Sequence, residues 1–237
     1  MKNNQTAEGV KKALSRYANK DKAAFFPYFF KTGKGQYGEG DKFIGLTVPD
    51  QRKVGKQFAD LPLEETKKLL ASPIHEHRLT ALIILVSQYQ KADEKDKEKI
   101  FKFYFKNISR INNWDLVDCS CRDIVGEHLQ KKDRKILYRL AKSKNLWERR
   151  IAMVSTWAYI RKEDLKDTFA IAELLLDDTH DLIHKAVGWM LREAGKRDES
   201  ALHTFLASHA TVMPRTALRY AIERMPEKTR KAYMKKD

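Results

Sequence analysis

The stretch Asn113-Trp-Asp-Leu-Val-Asp-Cys-Ser-Cys-Arg122 holds the residues best suited to chemistry. In a helix, Trp114 and Asp118 stand four residues apart on one face. An indole beside a carboxylate suits a site for a positively charged sugar or base, since both groups attract a cation. The alternative is a packed Trp114 with Asp118 paired to Arg122, also four residues on. This stretch alone leaves both open.

Other reactive constellations are missing. There is no Ser-His-Asp order to build on, no His-Glu-x-x-His and no clustered Cys/His set, so neither a metal nor a cofactor is expected. His75 and His77 lie close together but lack a third ligand and are expected at the surface. Cys119 and Cys121 point to different sides of a helix, which argues against a mutual disulfide. They read as reduced thiols in a core.

Positioning these residues falls to helices. Glycine and proline sit mostly between apolar segments, and no sustained two-residue alternation or hairpin signal occurs. The periodicity predicts helices over 7–18, 21–30, 49–59, 63–71, 76–90, 94–105 and 114–128. It continues with 133–141, 146–161, 163–176, 182–195, 199–207, 214–224 and 226–234. Residues 31–42 interrupt the series: four glycines between Gly33 and Gly40 make a loop, with Lys34 placed to touch a phosphate. A plain surface loop fits equally well.

Several segments look like copies. Those opening at Arg78, Arg150, Lys185 and Arg215 each begin on a basic residue and continue with small and aliphatic ones. Arg150 and Lys185 are 35 residues apart, and Trp114 lies 36 from both Arg78 and Arg150. Such a period suits paired-helix repeats, whose apolar faces stay exposed until a neighbour stacks on them. The expected fold is therefore all-α: a right-handed-type superhelical solenoid of HEAT-like repeats, one domain over 1–237, with a concave basic groove. In that register the recurring basic starts become a positive stripe, or else ordinary solvated caps. Trp189, four residues after Lys185, then faces the same surface as Trp114, Asp118 and Arg150. Trp147 and Trp157 fall elsewhere in the register and are assigned to packing.

Charge points to the partner. Forty-seven Lys and Arg against 32 Asp and Glu give a net charge of +15, which attracts a polyanion, nucleic acid first. The longest apolar run, residues 81–86, is far too short to span a bilayer, and the polar N-terminus has no secretion signal. A soluble cytoplasmic monomer without a membrane partner is expected. The basic stretch 224–237 reads as a capping helix that also suits phosphate contact.

These elements resemble the bacterial DNA alkylation-repair glycosylases built from HEAT-like repeats, the AlkD family. Asn113-Trp-Asp-Leu-Val-Asp118 looks like that family's Trp-Asp-x-Val-Asp motif, and Asn145-Leu-Trp-Glu-Arg-Arg150-Ile-Ala is similar to its Trp-x-x-Arg element. Lys185-Ala-Val-Gly-Trp189-Met-Leu-Arg192-Glu193 and Gly45-Leu-Thr-Val-Pro49-x-x-Arg52 resemble two further elements, so the likeness runs from about residue 43 to 225. It implies that Asp118 is the catalytic carboxylate, that Trp114 and Trp189 flank the lesion's deoxyribose, and that Arg150 grips the backbone. Lys185, Arg192, Lys34 and Arg52 are the further DNA-binding candidates. The implied activity is excision of cationic alkylated purines, 3-methyladenine and 7-methylguanine, from double-stranded DNA, with the base left stacked instead of flipped. The loop at 33–40 and Arg122 depart from the family pattern. A non-catalytic DNA-binding repeat protein shares the basic groove without needing Asp118. A protein-binding scaffold would need an acidic ligand.

Overall fold

The computed structural model describes residues 5–235, so the N-terminal stretch and the basic tail are covered except for residues 1–4, 236 and 237. The described residues form helices and no strand, with one isolated parallel bridge between Lys42 and Ile74. This is the expected all-α class, consistent with an α solenoid of helical repeats. None of the described helices is long and apolar enough to cross a membrane. The chain divides into two compact units, the first ending at Ile124 and the second starting at Val125.

The first unit contains α1 (Ala7–Ser15), α2 (Lys20–Phe29), α3 (Val48–Gln57), α4 (Leu63–Leu70), α5 (His75–Lys91), α6 (Glu94–Lys106) and α7 (Trp114–Asp118). Its centre is α5, which packs against α1, α3, α4, α6 and α7. Leu79, Ala81, Leu82, Ile84 and Leu85 of α5 are all buried, so this helix lacks a single apolar stripe and is enclosed on several sides. Each such leucine contributes about 2 kcal/mol by leaving water. Local signals set the ends: Asn19 caps α2 through Lys22 N–H, and Asp93 caps α6 through Asp96 N–H.

The second unit contains α8 (Glu127–Leu129), α9 (Lys135–Ala141), α10 (Leu146–Ser155), α11 (Trp157–Ile160), α12 (Lys166–Leu174), α13 (Asp181–Gly195), α14 (Glu199–His209), α15 (Arg215–Ala221) and α16 (Glu227–Met234). Here α13 is central and packs on α10, α12, α14 and α15. Gly188 permits a close approach of α13 and α15: a Cβ there would lie 2.4 Å from the Ala217 carbonyl oxygen and 2.5 Å from Tyr220 Cβ.

Two expected long helices are broken. The span 114–128 holds α7, a turn, a π-helical turn at Arg122–Gly126, and α8. The physical reason is Ser120, whose hydroxyl bonds back to the Leu116 carbonyl at 2.6 Å and lies 3.0 Å from Tyr104 Oη. The span 146–161 likewise divides at Thr156, whose hydroxyl donates to the Met153 carbonyl at 2.8 Å. The helix expected from 163 starts later, at Lys166, after Glu163 adopts a φ of 61°.

The recurring basic starts are not all at the surface. Arg78 and Arg150 are buried, at 1% and 5% exposure, so they form neither an exposed stripe nor solvated caps. Arg78 donates to the Ser72 carbonyl and to Asp41, and Arg150 to the Leu182 carbonyl. A guanidinium satisfies several buried acceptors at once, which suits it to tying elements together.

Candidate functional site

The site begins with how α7 is held. Asn113 is fully buried; its Oδ1 accepts from Trp114 N–H, and its Nδ2 donates to Asp41 Oδ2 at 3.3 Å. Asp115, Leu116 and Val117 turn inward and are buried, while Trp114 and Asp118 are half-buried on α7. The shared face expected for these two residues therefore rests on one real helical turn. Arg122 follows the break and lies in the π-helical turn.

Aromatic rings surround Trp114. Its indole stacks on Phe30 with ring centres 5.6 Å apart, and Phe29 meets it edge-on at 5.9 Å. Phe30 and Phe43 are stacked, and both lie against the His75 ring, at 4.8 and 5.0 Å. These rings line an apolar cavity of about 250 Å³ that also touches Asp115 and Cys119. Burial pushes the Cys119 thiol pKa up to about 11, with Asp115 and Asp118 adding to the shift, so it remains a thiol. Phe25, Tyr28 and Phe29 of α2 are exposed, an aromatic surface beside this cluster.

Beneath the rings lies a buried polar group. His75 and His77, expected at the surface, are 1% and 6% exposed. His75 Nδ1 lies 2.9 Å from Asp41 Oδ2, and His75 Nε2 lies 2.7 Å from Asp115 Oδ2. Arg78 donates to Asp41 Oδ1 at 2.6 Å, and Leu116 N–H donates to Asp115 Oδ1 at 2.8 Å. Burial alone lowers the His75 pKa, but the Asp115 and Asp41 carboxylates outweigh it and raise it to about 9. For Asp41, burial opposes ionisation, while His75 and Arg78 pull its pKa below the usual carboxylate value. His77 has the opposite fate: burial, with Lys11 nearby, lowers its pKa to about 4, and its Nδ1 lies 2.9 Å from the Ser72 hydroxyl. The buried Glu76 carboxylate accepts from the Ile44, Gly45 and Leu46 N–H groups and fixes the end of the loop.

The DNA-binding candidates divide by environment. Lys34 and Arg52 are exposed, on the glycine-rich loop and on α3. Two N–H groups of the loop are already taken and not open to a phosphate: Gly33 N–H donates to Gln36 Oε1 and Gly35 N–H to Glu39 Oε2. In the second unit, Lys185 pairs with Asp181 at 2.8 Å, and Arg192 is held by Glu193 and Glu223. Arg150 ties α10 to the first turn of α13, the helix that carries Lys185 and Trp189. Trp189 is half-buried, with the Trp157 ring centre 5.9 Å away.

Trp157 is thus a neighbour of Trp189 that the repeat register assigned only to packing. Asp41, His75 and Asp115 were also missed as a group, although Asp115 lies inside the Trp114–Asp118 motif. The one local signal was polar His75-Glu-His-Arg78 placed directly before an apolar run.

An all-helical chain with an aromatic–carboxylate pair on a short helix and a net charge of +15 defines a helical-repeat protein suited to a polyanionic substrate. The family described as DNA alkylation repair enzyme matches residues 10–225, and the chain belongs to that family. Its role is therefore in alkylation repair, with DNA as substrate. A solved structure described as a predicted DNA alkylation repair enzyme from Enterococcus faecalis shares the fold, with a TM-score of 0.68 and 17% identity over 89% of this chain and 97% of that one. No curated protein matches the sequence.

Proposed function

We propose that the protein is a monofunctional DNA glycosylase that acts as a monomer and hydrolyses the N-glycosidic bond of cationic alkylated purines, 3-methyladenine and 7-methylguanine, in duplex DNA. The observation that carries this reading is the pairing of Trp114 and Asp118 on α7, both half-buried while Asp115, Leu116 and Val117 bury. An alkylated purine already carries positive charge and leaves without a general acid, so one carboxylate suffices where glycoside hydrolases use two. As the bond breaks, positive charge grows on the deoxyribose. The Asp118 carboxylate stabilises that charge and positions water for attack, and an indole face adds about 0.5–2 kcal/mol.

Trp189 joins this reading through the family resemblance, as does a base that stays stacked while the protein holds the backbone. Lys34 and Arg52 are exposed for phosphate contact. The exposed Phe25 and Tyr28 rings add surfaces of the kind that stack on nucleotides. For Lys185 and Arg192, a phosphate contact competes with their present carboxylate partners.

The test is release of free base from methylated duplex, identified by mass. Asp118→Asn is expected to lower release by about 100-fold or more while duplex affinity stays near that of the unmodified protein. Wild-type release by the variant excludes Asp118 as the catalytic group. Salt-sensitive duplex binding with no base release by the native protein would favour the non-catalytic DNA-binding reading.

A further inference from the structure

We propose that His75 is a positioning residue for the candidate site, a doubly donating imidazolium strut that joins Asp41 to Asp115 and so holds α7 with Trp114 and Asp118. The inference rests on the glycosylase reading for its consequence in activity, but its structural content stands apart from that reading.

The argument starts from donors and acceptors. Both His75 nitrogens face carboxylate oxygens, at 2.9 and 2.7 Å. A carboxylate oxygen only accepts, so both nitrogens must carry hydrogen, and an imidazole with two N–H groups is a cation. Every oxygen of the two carboxylates already receives a donor: Asp41 Oδ1 from Arg78, Asp41 Oδ2 from His75 and Asn113, Asp115 Oδ1 from Leu116 N–H, and Asp115 Oδ2 from His75. Two cations, His75 and Arg78, thus balance two carboxylates, all four side chains being buried.

The other charged groups nearby do not supply this role. Arg110, on the turn Ile108–Arg110, is directed to the Leu70, Ala71 and Ser72 carbonyls. Glu76, on the same helix as His75, is occupied by the N–H groups of residues 44–46. On its faces, His75 meets Phe30 and Phe43, and Phe30 in turn stacks on Trp114. The imidazolium therefore reaches the site by two routes: through Asp115, next in sequence to Trp114, and through the ring stack.

The consequence is a dependence of Trp114 on the His75 charge. Below a pH of about 9 the strut keeps both bonds. Above it, the neutral ring has one N–H and must release one carboxylate. Asp118, one turn beyond Trp114, moves with the same five-residue helix.

The experiment combines nitrogen-15 imidazole NMR of the full chain with the Trp114 indole N–H signal and base-release kinetics. The expected result is a doubly protonated His75 at neutral pH, losing one proton near pH 9. The Trp114 signal should shift with the same midpoint. In His75→Gln, kcat should fall about tenfold or more while KM changes little. Asp115→Asn should move the alkaline midpoint to lower pH, which keeps the test decisive if His75→Gln does not fold. A neutral His75 at neutral pH, or a Trp114 signal indifferent to its titration, overturns the strut. Failure of the native protein to release base counts against the glycosylase reading alone, because the two NMR signals still decide the strut.

Discussion

The indoles of Trp114 and Trp189 ride on unlike supports. Trp189 projects from α13, 15 residues long, whose Ile183, Ala186, Val187, Met190, Leu191 and Ala194 recur at helical spacing and are buried. Such a helix is held by apolar packing along its length. Trp114 projects from α7, which has five residues and is too short to persist alone. It is held by Asn113 at its start, by Asp115 bonded to His75, and by the stacked rings. One indole is thus placed by shape and the other by charge. Changes in charge and pH should act on Trp114, and changes in volume on Trp189.

The largest expected effect on this contrast comes from Asp41→Ala. It leaves His75 and Arg78 buried with one partner fewer, which should cost about 3–5 kcal/mol in chemical denaturation. A loss below about 1 kcal/mol would contradict support by charge, since that is the range of an ordinary exposed pair. Next is Gly188→Ala, where the added methyl meets the Ala217 backbone at 2.4 Å. It should cost about 1–3 kcal/mol and perturb the Trp189 surroundings.

The pH dependence of stability sharpens the comparison further. The His75 pKa is raised to about 9, so its stabilisation is full below the unfolded value of about 6.5 and is lost as pH rises from there to about 9. The His77 pKa is lowered to about 4, so the folded protein loses stability as pH falls from about 6.5 towards 4, where only the unfolded chain takes up the proton. Each slope is at most about 1.4 kcal/mol per pH unit. His77→Gln should flatten the acid slope alone, and Asp115→Asn should reduce the alkaline one, as read from melts across pH.

The smallest effects should come from Lys34→Ala and Arg52→Ala. Both side chains are exposed, so stability should be unchanged. If each meets one phosphate, the slope of log affinity against log salt falls by about 1 per substitution. An unchanged slope removes that residue from the DNA-binding surface.

Much of this was readable because it is local. Helical period, the loop made by Gly33 to Gly40 and the one-turn separation of Trp114 and Asp118 all depend on neighbours a few residues away. The breaks at Ser120 and Thr156 are local too, but their hydroxyls compete with a helix only when aimed at its carbonyls, which composition does not reveal.

What the sequence by itself determined is the all-helical class, the charge that draws a polyanion, and one turn of helix bearing an indole and a carboxylate. Tertiary structure decided which charges are tools and which are supports. Arg78 and Arg150 look like surface cations in sequence, yet packing buries them against carbonyls and Asp41. Asp41 and His75 are 34 residues apart and His75 and Asp115 are 40 apart, so no spacing rule joins them. Burial makes each need the other, because an ion removed from water remains in a protein only beside its counter-ion.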